Sequence, residues 1–264
     1  MLIDEISELA TQAGRLALLR QPALSVMAKG HLDFVTDVDR AVEEMISAGI
    51  RQLFPDDGVI GEEGQNLSSK SGRSWIIDPI DGTHNFVRGG ASWGVSIGLA
   101  SDRPIAAALN APVEQNLLAA EAGRGVWRNG EKLPGRPRAT EPSIAYTGVS
   151  TWMSTDNDRW LSGFVRDELG LADRRTGSAV TSLIAVILGE ADLYIGFGEH
   201  IWDVAGAAII AEEAGCAHSL DWLAGLPREP FVFVCGEPAL VERTSKALET
   251  RHSQKRSLTP SPVV

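Results

Sequence analysis

The segment WIIDPIDGTHNF, residues 75–86, places two aspartates around a proline at the end of an apolar run. The run WII predicts a buried strand, because short apolar stretches bounded by turn residues are typical of strands covered on both faces. Asp78 and Asp81 then lie close together, where like charges repel each other and cost free energy to desolvate. Such a pair is tolerated where a cation lies between the carboxylates, so the segment predicts a strand that ends at a metal site.

The residues around these aspartates add further oxygen atoms and close backbone approach. Pro79 stiffens the turn and leaves the carbonyl of Ile80 directed into the same space. Gly82 lets the backbone approach closely, and Thr83 places a hydroxyl beside the acids. The run GTHNF predicts the start of a helix, whose N–H groups favour a phosphate. Taken alone, the segment also fits an ordinary turn with a helix cap, because Asp, Pro and Gly are common turn formers.

Other acidic residues stand at the predicted ends of elements rather than on open helix faces. GEEG, residues 61–64, places Glu62 and Glu63 at a glycine-flanked bend. Asp39 lies at a helix start in VTDVDRAVE, and Asp203 does so in WDVAGAAIIAEEAG. Each alone fits a solvated turn or a helix N-cap. Together they predict an oxygen-ligand site for Mg²⁺. Two such metals about 3.5–4 Å apart would stabilise the attacking water and the leaving oxygen of a phosphoryl group.

The composition limits the class of binding partner and the cellular compartment that we expect for this protein. A net charge of −11 over 264 residues argues against nucleic acid as the main partner, because phosphate binding needs clustered Lys and Arg. Cys216 and Cys235 form no CxxC pair and are expected to be buried free thiols of a reducing compartment. The N-terminus lacks the charge pattern of a secretory signal, and no stretch is long enough to span a bilayer. We therefore expect a cytoplasmic protein.

The pattern of elements changes along the chain. Residues 1–150 predict helices packed on a mainly antiparallel sheet, with the metal-binding loops in this half and a hairpin turn at Asn129-Gly130. Residues 151–250 predict alternating helices and strands, an α/β half that follows a linker near 150–156. Residues 251–264 are polar and basic with prolines, and predict a disordered tail. A cleft between the two halves is where we expect a small-molecule site.

With these motifs the chain resembles the inositol monophosphatase family, which are Mg²⁺-dependent, lithium-sensitive phosphatases. The resemblance covers about residues 1–250 and is carried by WIIDPIDGTHNF, by GEE and by WDVAGAAIIAEEAG, with support from VTDVD. It implies an α+β and α/β fold built as a five-layered αβαβα sandwich, and a homodimer. It also implies two or three Mg²⁺ ions per site, with Mn²⁺ as a substitute and Li⁺ as an inhibitor.

The resemblance further implies roles for single residues. Asp39 and Thr83 would orient and deprotonate the attacking water, and Glu62 would belong to both the metal site and the catalytic set. The implied metal ligands are Glu62, Asp78, the carbonyl of Ile80, Asp81 and Asp203. The implied substrate and phosphate contacts are Gly82, Thr83, Lys29 and Glu199. The predicted function is hydrolysis of a small phosphomonoester, with inositol monophosphate as the favoured substrate.

Two departures from the family pattern leave the substrate open. Members that hold inositol hydroxyls usually have a glutamate seven residues before the helix-opening aspartate, where this chain has Gly196 and only Glu199 is near. Arg88, in NFVRG, favours histidinol phosphate instead, and Ser178 and Ala179 are expected only as pocket walls. Fructose 1,6-bisphosphate is a further alternative, and 3′-phosphoadenosine 5′-phosphate is less favoured. From a different class, the chain could be a non-catalytic binding or regulatory module on the same scaffold.

Overall fold

A seven-stranded sheet carries the predicted WIID strand next to one of its edges. The computed structural model describes residues 2–30, 33–137 and 141–257. The sheet has the strand order β3-β4-β5-β6-β7-β8-β9; β3 and β4 are parallel and the other neighbours are antiparallel. Its strands are β3 (Gly58–Gly61), β4 (Ser74–Asp81), β5 (Gly94–Ala100), β6 (Pro104–Ala111), β7 (Asn116–Glu121), β8 (Gly125–Arg128) and β9 (Glu131–Lys132).

Two long helices cover the outer face of this sheet. They are α1 (Leu2–Arg20) and α2 (Asp37–Leu53), joined by the antiparallel hairpin of β1 (Val26–Gly30) and β2 (Asp33–Thr36). The apolar faces of both helices share one core cluster with Trp75 and Ile77 of β4, whereas Ile76 belongs to the cluster on the opposite face. Both faces of the strand are therefore buried, which explains its continuous apolar sequence.

The second sheet is mixed and is built from the C-terminal part of the chain. Its strand order is β11-β10-β12-β14-β13, with β10 parallel to β11 and β12 and with β14 antiparallel to β12 and β13. The strands are β10 (Ile144–Val149), β11 (Ala172–Arg174), β12 (Leu193–Glu199), β13 (Ala217–His218) and β14 (Phe231–Gly236).

Helices fill the space between the sheets and cover the outer face of the second one. The short helix α3 (Thr83–Val87) follows β4. α5 (Ala179–Ile187) and α6 (Ile201–Ala214) share a core cluster with both sheets. α4 (Thr155–Gly163), which continues as a wider helical turn over Phe164–Glu168, and α7 (Pro238–Ser257) pack outside. The predicted five-layered αβαβα sandwich is confirmed.

Helix α6 shows why its sequence is rich in alanine and glycine. Its residues from Val204 to Ala211 are buried on every side, as expected of a helix enclosed between two sheets. A Cβ at Gly206 would lie 2.7 Å from the Ser96 hydroxyl oxygen, and one at Gly98 would lie 3.2 Å from the backbone nitrogen of Gly206. The helix therefore approaches β5 at a distance that only small residues allow.

The structure differs from the expected organisation at two points. Strand β10 belongs to the second sheet, so the chain changes sheet before Ile144 and not in the expected linker near 150–156. The predicted tail is wrong for residues 251–257, because α7 continues to Ser257. Arg251 holds that helix against α4, since its guanidinium donates to Asn157 Oδ1 at 2.8 Å and lies 4.5 Å from the centre of the Trp160 ring. Residues 258–264 lie outside the described residues.

Several smaller expectations can be compared with the structure. Cys216 and Cys235 are buried free thiols. Across the described segments, no helix combines the length and the apolar character needed to cross a bilayer. Trp93 is buried against Phe86, whereas Trp152 is 59% exposed.

Candidate active site

Strand β4 carries the two aspartates of the opening motif to the end of the first sheet. Its pairing with β5 shifts register between Asp78 and Asp81, where Pro79 has no N–H to donate to the ladder. Asp78 is 1% exposed, and its Oδ1 accepts a hydrogen bond from the Ile80 backbone nitrogen at 3.0 Å. Because of this irregularity, the two aspartates and Ile80 do not follow the regular geometry of a strand.

The turn after β4 is fixed by a close approach to the segment before α5. Gly82 has a φ of +84°, and a Cβ there would lie 3.0 Å from both the Ser178 Cβ and the Ser92 carbonyl oxygen. Asn85 in α3 donates its amide to the Ser92 carbonyl at 2.7 Å and to the Thr176 carbonyl at 2.8 Å. The phosphate-binding backbone predicted at Gly82 and Thr83 therefore has a fixed conformation.

Asp39 and Thr83 meet although they are far apart in the sequence. The Thr83 hydroxyl oxygen lies 3.4 Å from Asp39 Oδ1 and 3.0 Å from the carbonyl oxygen of Ile80. The other oxygen of Asp39 accepts from the backbone nitrogen of Thr36 at 2.9 Å and from its hydroxyl. Burial raises the pKa of Asp39, and the hydrogen bonds from Thr36 partly oppose this. A buried carboxylate with a raised pKa is a better proton acceptor.

The GEEG bend is held by a buried glutamate that the sequence did not single out. Glu43 of α2 is 0% exposed, and its carboxylate accepts from the backbone nitrogens of Glu63 at 2.8 Å and Gln65 at 2.9 Å. A Cβ at Gly61 would lie 2.6 Å from this carboxylate, so only glycine fits there. Glu43 thus fixes the loop that carries Glu62. The one sequence signal for this role of Glu43 is its position on the apolar face of α2.

The remaining predicted ligands are placed by α5 and α6. Asp203 is the third residue of α6 and not its cap; its Oδ2 accepts from the backbone nitrogen of His200 at 2.6 Å. Asp81 accepts hydrogen bonds from the Ser178 hydroxyl and, at 2.7 Å, from the Val180 backbone nitrogen. Ser178, expected only as a pocket wall, therefore binds a predicted metal ligand directly.

The acidic side chains act on each other through space. Burial raises the pKa of Asp78 well above its usual range, and the charges of Glu62, Asp81 and Asp203 raise it further. Burial likewise raises the pKa of Asp203, with Glu199 and Glu62 adding to it. For Glu62, burial raises the pKa to about 7 despite the opposing charge of Lys29. These acids are therefore close enough to each other to interact electrostatically.

The donor chemistry of these acids fits a hard divalent cation. The side chains are carboxylates and the nearby backbone group is a carbonyl, which are ligands that Mg²⁺ prefers. Within the described residues, no group of three or more Asp, Glu, His or Cys side chains is already arranged as a metal site. Burial is the main cause of these raised pKa values and mutual repulsion adds to it; a bound cation would offset both, so the electrostatics favour its binding.

We expect Asp78→Asn to stabilise the metal-free protein by about 1 kcal/mol or more, because it removes one buried charge from a repulsive cluster. Asparagine keeps the oxygen that accepts from the Ile80 backbone nitrogen. The measurement is urea unfolding in the presence of a chelator. Addition of Mg²⁺ should then raise the stability of the wild type more than that of the variant.

The matched control is Asp57→Asn, at a buried aspartate that is paired. Asp57 accepts from the Trp75 indole nitrogen at 3.0 Å and lies 2.9 Å from an Arg73 guanidinium nitrogen, so its replacement should destabilise the protein. A loss of stability in both variants would contradict the view that the acids around Asp78 repel each other.

Lys29 lies beside the metal loops on the β1–β2 hairpin. Its ammonium nitrogen is 3.2 Å from Glu62 Oε1 and 2.5 Å from Glu63 Oε1. Burial acts to lower the pKa of Lys29, but the two glutamates outweigh it and raise the pKa. The lysine therefore stays charged beside these two acids. Its contact with phosphate remains a prediction.

A cleft of about 410 Å³ opens from the acids between the two sheets. Glu199 lies in its wall, 8% exposed, and accepts from the Tyr194 hydroxyl at 2.7 Å. Arg88, the residue that favoured histidinol phosphate, is exposed and does not line this cleft. The lining residues include Asp81, His84, Asn85, Thr147, Gly148, Ser150, Arg175, Ser178, Tyr194, Glu199 and Asp203. A hollow of about 520 Å³ beside α7 is larger but contains none of the clustered acids.

Comparison with known proteins assigns this chain to a family. A model of the inositol monophosphatase family matches residues 3–253. The chain belongs to the inositol monophosphatase family. An IMPase of Thermotoga maritima superposes with a TM-score of 0.78 at 27% identity, over 94% of this chain and 96% of that chain.

The relatives within the inositol monophosphatase family carry different names. Inositol monophosphatase 1 of Homo sapiens is 34% identical over 81% of both chains. The histidinol-phosphatase of Chlorobaculum parvum is 35% identical over 79% of this chain and 81% of its own. The Nus factor SuhB of Pseudomonas aeruginosa is 36% identical over 78% of this chain and 80% of its own. Family membership therefore leaves the substrate open.

Proposed function

We propose that this member of the inositol monophosphatase family is a Mg²⁺-dependent phosphomonoesterase for a small phosphorylated metabolite, with inositol monophosphate as its first candidate. The observation that carries the proposal is the contact of Thr83 with Asp39, 3.4 Å apart, beside the buried acids. Two groups that can accept a proton in turn, placed beside a cation site, form the arrangement that water attack on a phosphate ester requires.

The predicted ligands would hold the cations. These are Glu62, Asp78, the carbonyl of Ile80, Asp81 and Asp203. Mg²⁺ bound there would supply charge neutralisation for the phosphoryl group and lower the pKa of the attacking water. Ser178 and the Val180 backbone nitrogen orient Asp81, and the His200 backbone nitrogen orients Asp203. These hydrogen bonds keep the carboxylates in place without neutralising their charge.

Proton removal would be the task of Thr83 and Asp39. The Thr83 hydroxyl accepts the proton of the attacking water while it passes its own proton to Asp39 Oδ1. Thr36 holds the second oxygen of Asp39, so the first one remains directed at Thr83. The backbone at Gly82 and Thr83 and the ammonium of Lys29 would contact the phosphate, and Glu199 would contact the leaving group. Water attacks phosphorus directly in this scheme, the ester P–O bond breaks, and the leaving alkoxide takes up a proton from solvent, with no covalent enzyme intermediate.

The test is phosphate release, with and without Mg²⁺, from a panel of candidate substrates. The panel contains inositol 1-phosphate, histidinol phosphate, fructose 1,6-bisphosphate and 3′-phosphoadenosine 5′-phosphate. We expect release that requires Mg²⁺, that is fastest with inositol 1-phosphate, and that millimolar Li⁺ inhibits. A faster reaction with another member would reassign the substrate. Absence of release from all of them would refute the phosphatase proposal.

A second candidate function is a non-catalytic binding or regulatory module on the same scaffold; one relative is named Nus factor SuhB and not a phosphatase. The net charge of −11 disfavours contact with RNA. The retained buried acids also disfavour a module without a metal, because unneutralised buried charge destabilises a fold. Calorimetric titration with Mg²⁺ separates the two candidates, since a scaffold without a working site should show no saturable binding.

A further inference from the structure

A bulge near the end of β12 moves an acidic side chain onto the substrate-facing side of the sheet. The pairing of β12 with β14 shifts register between Phe197 and Glu199, and Gly198 has a φ of +82°. One extra residue in a strand reverses the facing of the residues after it. Glu199 therefore shares its face with Tyr194 and Gly196, which regular alternation would not allow.

Two glycines keep the space that this carboxylate fills. A Cβ at Gly196 would overlap the Glu199 carboxylate, with its carboxyl carbon only 2.6 Å away. Gly148 is the register partner of Gly196 on β10, and a Cβ there would lie 2.9 Å from the Tyr194 hydroxyl oxygen and 3.2 Å from Glu199 Oε1. The carboxylate thus occupies the place of the missing side chain at position 196.

Tyr194 fixes the orientation of this carboxylate. The phenol is 2% exposed, and its hydroxyl donates to Glu199 Oε1 at 2.7 Å. Burial and the charge of Glu199 raise the pKa of Tyr194 well above its usual range, so the hydroxyl remains a donor. This hydrogen bond holds the Glu199 side chain in one orientation.

The surrounding wall fits a hydroxyl-bearing group better than a second phosphate. Ser150 and Glu199 both line the cleft. The basic side chain on this wall, Arg175, is already paired, since its guanidinium nitrogens lie 2.5 Å from Asp158 Oδ1 and 3.9 Å from Asp173 Oδ2. A carboxylate accepts hydrogen bonds from hydroxyl groups and repels an anion.

We propose that Tyr194 is a positioning residue that acts through Glu199, and that this pair sets the preference for a leaving group with hydroxyl groups. The inference rests on the proposed phosphatase function. It adds to that function a specificity device made of a bulge, two glycines and a buried phenol. In this device Glu199 touches the leaving group and Tyr194 does not.

The experiment compares two substrates, inositol 1-phosphate and phenyl phosphate, whose leaving group offers no hydroxyls besides the ester oxygen. We expect Tyr194→Phe to raise KM for inositol 1-phosphate about fivefold to tenfold with little change in kcat, because Glu199 remains but is no longer held in position. KM for phenyl phosphate should not change. Glu199→Ala should have the larger effect, again on the first substrate only.

The double variant decides whether Tyr194 acts through Glu199. In the Glu199→Ala background, the further change Tyr194→Phe should have no effect on KM, because the residue through which it acts is gone. The matched control is Tyr146→Phe, at the other of the two tyrosines, which is the register partner of Tyr194 on β10 and does not line the cleft. Thermal unfolding of each variant checks the fold.

The outcomes separate this inference from the function on which it rests. Equal effects of Tyr194→Phe on both substrates, or an undiminished effect without Glu199, would show a merely structural tyrosine and overturn the inference. Unchanged KM in a folded Tyr194→Phe variant would do the same, while wild-type turnover would leave the phosphatase function standing. Absence of wild-type turnover on both substrates with Mg²⁺ would overturn the inference, and release from the other members of the substrate panel would then decide whether the phosphatase function stands.

Discussion

Replacement of Asp81 by asparagine is expected to lower the rate of Mg²⁺-dependent phosphate release by about a thousandfold or more while leaving the fold intact. Loss of one carboxylate from a cation site weakens the charge stabilisation of the transition state, and about 4 kcal/mol corresponds to this factor. The Ser178 hydroxyl and the Val180 backbone nitrogen donate to the same oxygen of Asp81. The amide oxygen of asparagine can accept both bonds.

The measurement combines phosphate release, calorimetric Mg²⁺ titration and thermal unfolding of the metal-free variant. We expect activity and Mg²⁺ affinity to fall together while the metal-free protein is at least as stable as the wild type. Increased stability is reasonable, because burial raises the pKa of Asp81 and the substitution removes that unfavourable charge. Global unfolding of Asp81→Asn would show that the residue is structural and would contradict the proposed role.

Replacement of Asp39 by asparagine is expected to lower kcat about a hundredfold to ten-thousandfold with Mg²⁺ affinity nearly unchanged. Asp39 is the terminal proton acceptor in the proposed mechanism, and loss of a general base typically has an effect of this size. Asparagine keeps an oxygen for the Thr36 backbone nitrogen but cannot take up the proton that Thr83 passes on. The contrast with Asp81→Asn distinguishes proton transfer from cation binding.

Thr83 provides the matched pair of control variants for this prediction. Thr83→Ser keeps the hydroxyl and should retain most of the activity, whereas Thr83→Val keeps the shape and should lose activity about as strongly as Asp39→Asn. The readouts are kcat and Mg²⁺ titration at one pH. Retained activity in Thr83→Val would exclude a proton path through this hydroxyl, and loss of Mg²⁺ binding in Asp39→Asn would place Asp39 among the ligands instead.

The local features of the site could be predicted from the sequence because they depend on residues that are neighbours in the chain. The apolar run before Asp78 predicted a strand buried on both faces, and the core clusters on either side of β4 agree with it. The glycine at position 82 predicted a close backbone approach, and its φ of +84° beside Ser178 agrees with this. The motifs around these residues were also sufficient to predict the family.

Two predictions from the sequence were wrong for identifiable physical reasons. The polar residues 251–257 predicted disorder, but Arg251 contacts the Trp160 ring and the side-chain amide of Asn157 in α4, and Asn157 lies 94 residues earlier in the chain. The sequence predicted β10 as part of the N-terminal half. In the structure this strand pairs with β11 and β12 instead, because strand propensity does not specify a partner. In both places the decisive contact is long-range.

The sequence by itself determined the order of elements, the family and the acids that stand at element ends, since these follow from periodicity, capping and turn chemistry over a few residues. Only the tertiary structure decided which of these groups meet. It placed Thr83 at Asp39 across 44 residues, Ser178 at Asp81 across 97, and the Glu43 carboxylate under the GEEG bend. Hydrogen-bond partners of buried groups are set by packing of separate layers, and no local pattern encodes that packing.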